Sequence, residues 1–402
     1  MRAGSSLPLL AVALVISGCG SSHQAATSRA DQTTTTGATT TSKGKSFNMA
    51  LLSASSGAVL RVWDYDVPSG VAQLDVRSAV ADGRDGWFVS GGFGLAHMLR
   101  NGKLDASWGT KESRAFEGRR LVKAGPRLYV LTSRTVALPA GSSYLAFGVE
   151  AFDARTGASL WASPGPSQSV YALAASSTRV YLGGVFTSVG KARRQGLAAL
   201  DASTGRLLEW RAPPLSLDPP GGAPLRGGAA GSPRVSALSL SGSRLYVGGF
   251  FNSVGGKQRD YLAALDPSTG DLLSWKPPEA ASGSYSLAEI VVTGGRLIIS
   301  GNDDSSAFSL RTGHELSWAS SISGKYRALA VGGSRLYVGA NIESPLGLID
   351  NTSNNNLVAF DLSSGSPTNW APELGVDYVS VSQIVPSGGR VLVLGQFTNN
   401  IG

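Results

Sequence analysis

Two short motifs alternate along this chain, and their alternation leaves little choice of fold. The first is a turn followed by a strand: Thr178 to Phe186, Ser243 to Phe251, Gly295 to Gly301, Ser334 to Ala340 and Gly389 to Gly395, with weaker copies at Asp85 to Phe93 and Pro126 to Thr132. Most copies share an Arg, a branched aliphatic and often a Tyr before one or two glycines. The second motif is an apolar strand, a tight turn and a segment ending in Trp, as in Leu197 to Trp210 and Leu262 to Trp275. Further copies end at Trp108, Trp161, Trp318 and Trp370. Length alone would suggest two or three domains, but a chain that repeats itself is one long unit. No long helical pattern interrupts the short Val, Leu and Tyr runs, and clusters of Gly, Ser, Asn and Pro separate them, so the chain is all-β.

The first motif occurs seven times and the second six, which leaves one unit open at the C-terminus. Ala50 to Trp63 supplies the missing half, with one residue inserted. The sequence therefore predicts a seven-bladed β-propeller of four-stranded antiparallel blades, in which N-terminal strands complete the last blade. Such closure leaves few free strand edges. In the clearest unit the expected strands are Arg234 to Leu240, Arg244 to Phe251, Tyr261 to Asp266 and Asp271 to Trp275, the first lying innermost. Gly270 supplies the positive φ of the last turn, and Asp266 accepts hydrogen bonds from its backbone.

The pattern Ala-Leu-Asp-x-x-Thr-Gly-x-Leu-x-x-Trp, at Ala199 to Trp210 and Ala264 to Trp275, resembles the repeat of quinoprotein alcohol dehydrogenase-like (pyrroloquinoline-quinone-type) β-propellers. Gly-Gly-x-Phe-x-Ser-Val-Gly, at Gly183 to Gly190 and Gly248 to Gly255, is similar to bacterial extracellular propeller repeats. The resemblance covers 47–402 and is specific for architecture, since propellers host unrelated functions. It implies one enzymatic alternative, a quinone-dependent sugar or alcohol oxidoreductase. The larger enzymes of that kind carry adjacent cysteines beside the cofactor, and none lies in 47–402 here.

The single cysteine, Cys19, rules out an intrachain disulfide. An apolar run from Leu7 to Ser17 leads into Ile16-Ser17-Gly18-Cys19, which resembles the lipobox of bacterial lipoproteins. Residues 1–18 are thus expected to be a signal peptide, and Cys19 the lipidated N-terminus of a protein held at a bacterial membrane from the extracytoplasmic side. Residues 19–46, with Thr33 to Thr36 and Thr39 to Thr41, show no apolar periodicity and are expected to form a disordered tether. In anchor and repeat type the chain is similar to the propeller lipoprotein of the outer-membrane β-barrel assembly machinery, whose ring has eight blades.

The formal charge of +8 is mild once Arg2 and the tether's cations are set aside, and it does not call for nucleic acid. One Trp per unit (Trp63, Trp108, Trp161, Trp210, Trp275, Trp318 and Trp370) points to packing between blades, because a ligand site would break the symmetry. His97 and His314 are the only histidines in 47–402, and there is no His-x-x-x-His pair and no Gly-x-Ser-x-Gly elbow. Asn302-Asp303-Asp304 has calcium-type oxygen ligands, yet acidic residues in a strand-connecting turn are usually just solvated. No metal, cofactor or catalytic residue is expected. Specificity falls instead to the irregular connections, Arg211 to Pro233 and Asn341 to Asn356, with Lys191, Arg193, Arg194, Lys257 and Arg259 on the same face. The expected function is a monomeric binding or scaffolding module for an envelope protein or an anionic polymer such as a polysaccharide.

Overall fold

The computed structural model describes residues 45–64, 75–114, 116–137, 143–163, 165–217, 232–277, 287–301, 305–317, 326–340, 356–370, 372, 374 and 379–399. Nearly all regular structure among them is antiparallel strand. Seven main sheets follow the repeat. Sheet I holds Val76–Ala81, Trp87–Gly91 and Gly94–Met98. Sheet II holds Glu117–Ala124, Arg127–Ala137, Ser143–Asp153 and Ser159–Ala162. Sheet III is Val170–Ala175, Arg179–Gly184 and Leu197–Asp201; sheet IV is Arg234–Ser241, Arg244–Phe250 and Leu262–Leu265. Sheet V is Leu287–Thr293, Arg296–Gly301 and Ser306–Ser309, and sheet VI is Tyr326–Gly332, Arg335–Ala340 and Leu357–Asp361. Sheet VII joins the two ends of the chain: Val379–Ser387, Arg390–Asn399, Lys45–Ser53 and Val59–Asp64, in that order.

The second strand of a sheet buries both faces because its sheet packs between two others. Val89, Leu182, Val247, Ile298, Val338 and Leu392, on six different second strands, are all essentially inaccessible. The first strand of every sheet touches the first strands of its two neighbours, in the succession I to VII and from VII back to I. One register shift recurs in each first strand, between Val76 and Ser78, Val235 and Ala237, Val381 and Gln383 and their equivalents. Such a bulge bends the strand and re-aims the next side chain. The re-aimed polar residues cross to the neighbouring first strand. Ser78 Oγ accepts from the Leu121 amide (3.1 Å), Arg120 donates to Tyr171 O (3.3 Å), and Ser236 Oγ donates to Leu287 O (2.7 Å). Glu289 accepts from the Leu329 amide (2.8 Å), and Gln383 holds both the amide and the carbonyl of Ala79 (2.9 and 3.0 Å). Burial pushes the Glu289 carboxyl above its ordinary range.

Four strands were expected in every sheet, and only II and VII have them among the described residues. In sheets I and III to VI the fourth segment makes a single bridge, such as Leu200 with Leu207 or Leu265 with Leu272, and then leaves the ladder. In sheet IV the Trp275 that ends this segment donates its indole N–H to Ser309 O of sheet V (3.2 Å), across to the next sheet. The first strand also begins at Lys45, two residues before the expected boundary.

Candidate functional site

The outer joints between sheets are built from the second motif. Trp108 donates to Ala154 O (3.0 Å), Trp161 to Ala202 O (3.1 Å) and Trp370 to Ser53 O (2.8 Å), each reaching the turn of the following sheet. Trp210 meets no acceptor through its indole N–H but packs edge-on against Tyr181 at 5.6 Å. Trp63 lies over Gly102 of sheet I and carries Arg61 above its ring at 5.1 Å. The first motif reinforces the same joints. Tyr181 donates to Pro267 O (2.7 Å) and Tyr129 to Ala202 O (3.2 Å), while Arg296 reaches Leu362 O (2.7 Å) and Arg390 reaches Arg100 O. Gly205 shows why the turn needs glycine: its φ is +72°, and a Cβ there would stand 2.4 Å from the Trp161 ring.

The opposite end of each sheet, where strands two and three connect, carries the irregular structure. In sheets III and IV the Gly-Gly-x-Phe-x-Ser-Val-Gly motif folds into a small hairpin, Ser188–Val189 with Ala192–Arg193 and Ser253–Val254 with Lys257–Gln258. Phe186 and Val189, like Phe251 and Val254, are buried beneath these hairpins. Part of the connection after Trp210 joins the second: Leu215–Ser216 adds a strand to Ser253–Val254, and Asn252 donates to Leu217 O (2.7 Å).

The five cations expected on this face divide into two groups. Lys191, Arg193 and Lys257 are exposed at the hairpins. Arg194 and Arg259 are not surface residues, being 4 % and 8 % exposed. Arg194 donates to Arg193 O and to Leu208 O (both 2.9 Å); Arg259 repeats the arrangement with Gln258 O (2.7 Å) and Leu273 O (3.0 Å). Burial lowers both guanidinium groups from their ordinary value. Each is a pin fastening a hairpin to the fourth segment of its own sheet. Both are buried, with their terminal nitrogens turned onto these carbonyls and away from the exposed face.

His97 was assigned no role from sequence, yet it holds a central place in sheet I. Its Nδ1 lies 3.0 Å from Asp105 and its Nε2 3.1 Å from Asp82, so both ring nitrogens are spent on carboxylates. Burial pushes the Asp82 carboxyl up, but the Arg84 and Gly86 amides and the imidazole outweigh it and hold the group below its ordinary range. The Ser107 hydroxyl and the imidazole do the same for Asp105. The arrangement clamps the first hairpin of sheet I to its outer turn, beside a cavity of about 460 Å³ where Arg390 of sheet VII meets Arg84 and Arg100. Among the described residues no three His, Cys, Asp or Glu side chains are arranged to hold a metal ion. Nor is any helix there long and apolar enough to cross a membrane. Cys19, the signal and almost all of the tether, Trp318, residues 302–304, and most of the 211–233 and 341–356 connections lie outside the described residues.

A family model described as outer membrane protein assembly factor BamB matches residues 76–372. No curated protein matches the chain. Among solved structures it is similar to the computationally designed protein Ika8, with 14 % identity over 80 % of this chain and 96 % of that one and a TM-score of 0.46. It is also similar to the WD40 domain of Neurospora crassa Pan2 (11 % identity, 87 % and 95 % covered, TM-score 0.49). The designed protein Ika4 matches at 16 % identity, covering 52 % and 100 %, with a TM-score of 0.32.

Proposed function

The chain belongs to the family of the outer membrane protein assembly factor BamB, and on that footing we propose that it is a non-catalytic docking module of the bacterial envelope, a seven-bladed propeller held to a membrane through Cys19. The seven sheets are its blades. Ring closure is supported by the contact of sheet VII with sheet I and by the pairing of Lys45–Ser53 with Arg390–Asn399. The domain boundaries follow: a signal at 1–18, a lipidated Cys19 with its tether, and the propeller from Lys45 onward. Two acyl chains on Cys19 provide the second signal that stable anchoring requires. Replacing Cys19 with Ala should move the protein from the membrane fraction to the soluble fraction; retention at the membrane would rule out this anchor.

The observation that carries the docking reading is the pair of hairpins on blades III and IV. Each presents exposed cations (Lys191 and Arg193 on one, Lys257 on the other) from a base fixed by a buried arginine. A surface fixed before encounter loses less entropy on binding, and complementary charge raises the association rate. The partner is an envelope protein or polysaccharide with an anionic surface.

A photo-cross-linking residue placed at Arg193 or Lys257 tests this in intact cells. Discrete adducts are expected from both positions and none from Ser268, which sits at the opposite end of blade IV. Exchanging for Ser the two members of Lys191, Arg193 and Lys257 that the cross-linker does not occupy should abolish the adducts while leaving Arg194 and Arg259 in place. Equal labelling from both ends, or adducts that survive neutralisation, would remove the basic face as the docking surface.

A further inference from the structure

Four of the seven turns that follow the third strands open with an aspartate, and of the three that do not, the one in blade V is built in a way that points to a ligand. Asp153, Asp201, Asp266 and Asp361 open these turns in blades II, III, IV and VI. At Asp201 one carboxylate oxygen takes the amides of Ser203 and Thr204 (3.0 and 2.9 Å). The Ser203 and Thr204 hydroxyls hold that carboxyl down at about 2. Ser363 acts in the same way at Asp361, also at about 2. These rims therefore carry negative charge at any ordinary pH.

In blade V, Ser309 stands in the aspartate's place and caps the Thr312 amide with a neutral hydroxyl (3.3 Å). Arg311 and His314 occupy exposed positions of the same turn. Lys276, next to Trp275 of blade IV, approaches so closely that a Cβ on Gly313 would stand 2.0 Å from its carbonyl oxygen. Arg244 is fixed alongside through its bond to Leu310 O. These four basic residues line one cavity of about 570 Å³ at the joint, with Trp275 and Pro277 also in its wall and no carboxylate among the described residues of its lining.

Other turns have parts of this set but never the whole. Blade I has Leu99 followed by Arg100 and Lys103, but Asp82 lines the cavity there and Asp85 stands 3.6 Å from Arg100; blade II has Arg155 but keeps Asp153; the joint of III and IV sets Arg211 against a turn with Asp266 and Asp271; blade VII has Ser53 but only Ser55 and Ala58 at the corresponding positions. Packing explains what every blade shares. It does not explain why the joint of IV and V gathers basic groups with no carboxylate among the described residues of its cavity.

We propose that the cavity between blades IV and V binds a phosphate group. Guanidinium and ammonium donors are the groups that hold phosphoryl oxygens through charge-assisted hydrogen bonds. The volume exceeds that of a bare ion, so the favoured ligand is a phosphomonoester whose organic part rests against Trp275 and Pro277. The site lies at the end of the blades opposite the cationic hairpins, and it stands or falls independently of the docking surface.

The test titrates the full chain with inorganic phosphate and with glycerol phosphate at constant ionic strength. Calorimetry reads affinity, and the His314 ring resonances report position. Two variants use residues that the repeat itself places there and so preserve the fold: Ser309→Asp, and Arg311→Ser combined with His314→Asp. Wild type should bind saturably with a shift of the His314 resonances. Each variant should bind about tenfold more weakly or less, the size of one lost charge-assisted contact, at an unchanged or higher melting temperature. Lys257→Ser should bind as wild type does. Tighter binding of glycerol phosphate identifies an esterified ligand; equal affinities identify the free ion as sufficient. Absence of saturable binding by either probe, or full affinity in both variants, overturns the proposal.

Discussion

Removing residues 45–64 is expected to eliminate the cooperative unfolding transition altogether. Lys45–Ser53 pairs with Arg390–Asn399 at eight positions and fills sheet VII between its second strand and Val59–Asp64. Met49, Leu51 and Leu52 are at most 2 % exposed in that place. Burying three such side chains contributes roughly 5–9 kcal/mol at about 1.5–3 kcal/mol each, against a total stability of about 5–15 kcal/mol for a typical domain. The truncation would also bare the edge of a strand in which Val391, Leu392, Val393 and Leu394 are all inaccessible, a template for aggregation. Urea unfolding followed by tryptophan fluorescence measures this. A truncated chain that unfolds in one transition at the wild-type midpoint would show that the N-terminal strands are dispensable.

Trp370→Ala is expected to cost about 3–5 kcal/mol, the usual range for emptying a buried Trp site. Trp370 is 1 % exposed, packs edge-on against Tyr337 at 4.8 Å and donates to Ser53 O across the joint between blades VI and VII. The substitution opens a cavity and removes one of the two donors to the Ser53 carbonyl, which keeps the Gly57 amide. Trp370→Phe keeps most of the volume and should lose mainly the hydrogen bond, about 1 kcal/mol. Equal losses in the two variants would mean that the polar bond, and not the packing, carries the joint. Chemical denaturation of both separates these outcomes.

The repeat was readable because its constraints are local. Asp266, Gly270 and Trp275 stand at fixed offsets, and turn chemistry acts over four or five residues. The pairing of chain ends was readable by subtraction, since a half-unit at Ala50 to Trp63 matched the half missing after Gly395. Three features could not be read in this way. The fourth segments look like strands up to Trp210 and Trp275, but where each indole goes depends on a neighbouring blade. Arg194 and Arg259 look like surface charge among Lys191, Arg193 and Lys257. Their burial depends on a hairpin folding back onto carbonyls fourteen residues later, at Leu208 and Leu273. His97 offered no signal at all, because its partners Asp82 and Asp105 lie fifteen and eight residues away and only the sheet brings them together.

The outer joints are directional. At each of those described, indole, phenol and guanidinium donors of one blade reach carbonyls in the turn of the next, around to Arg390 and the carbonyl of Arg100. A unit of this design carries a plug on one side and a matching socket on the other, like links in a chain. At the rim, whole units can therefore be gained or lost by duplication or deletion with the donors of one turn still meeting carbonyls in the next. The contacts between first strands are less interchangeable, since Ser78, Arg120, Ser236, Glu289 and Gln383 are each fitted to one particular neighbour, whereas the chemistry of the rim repeats.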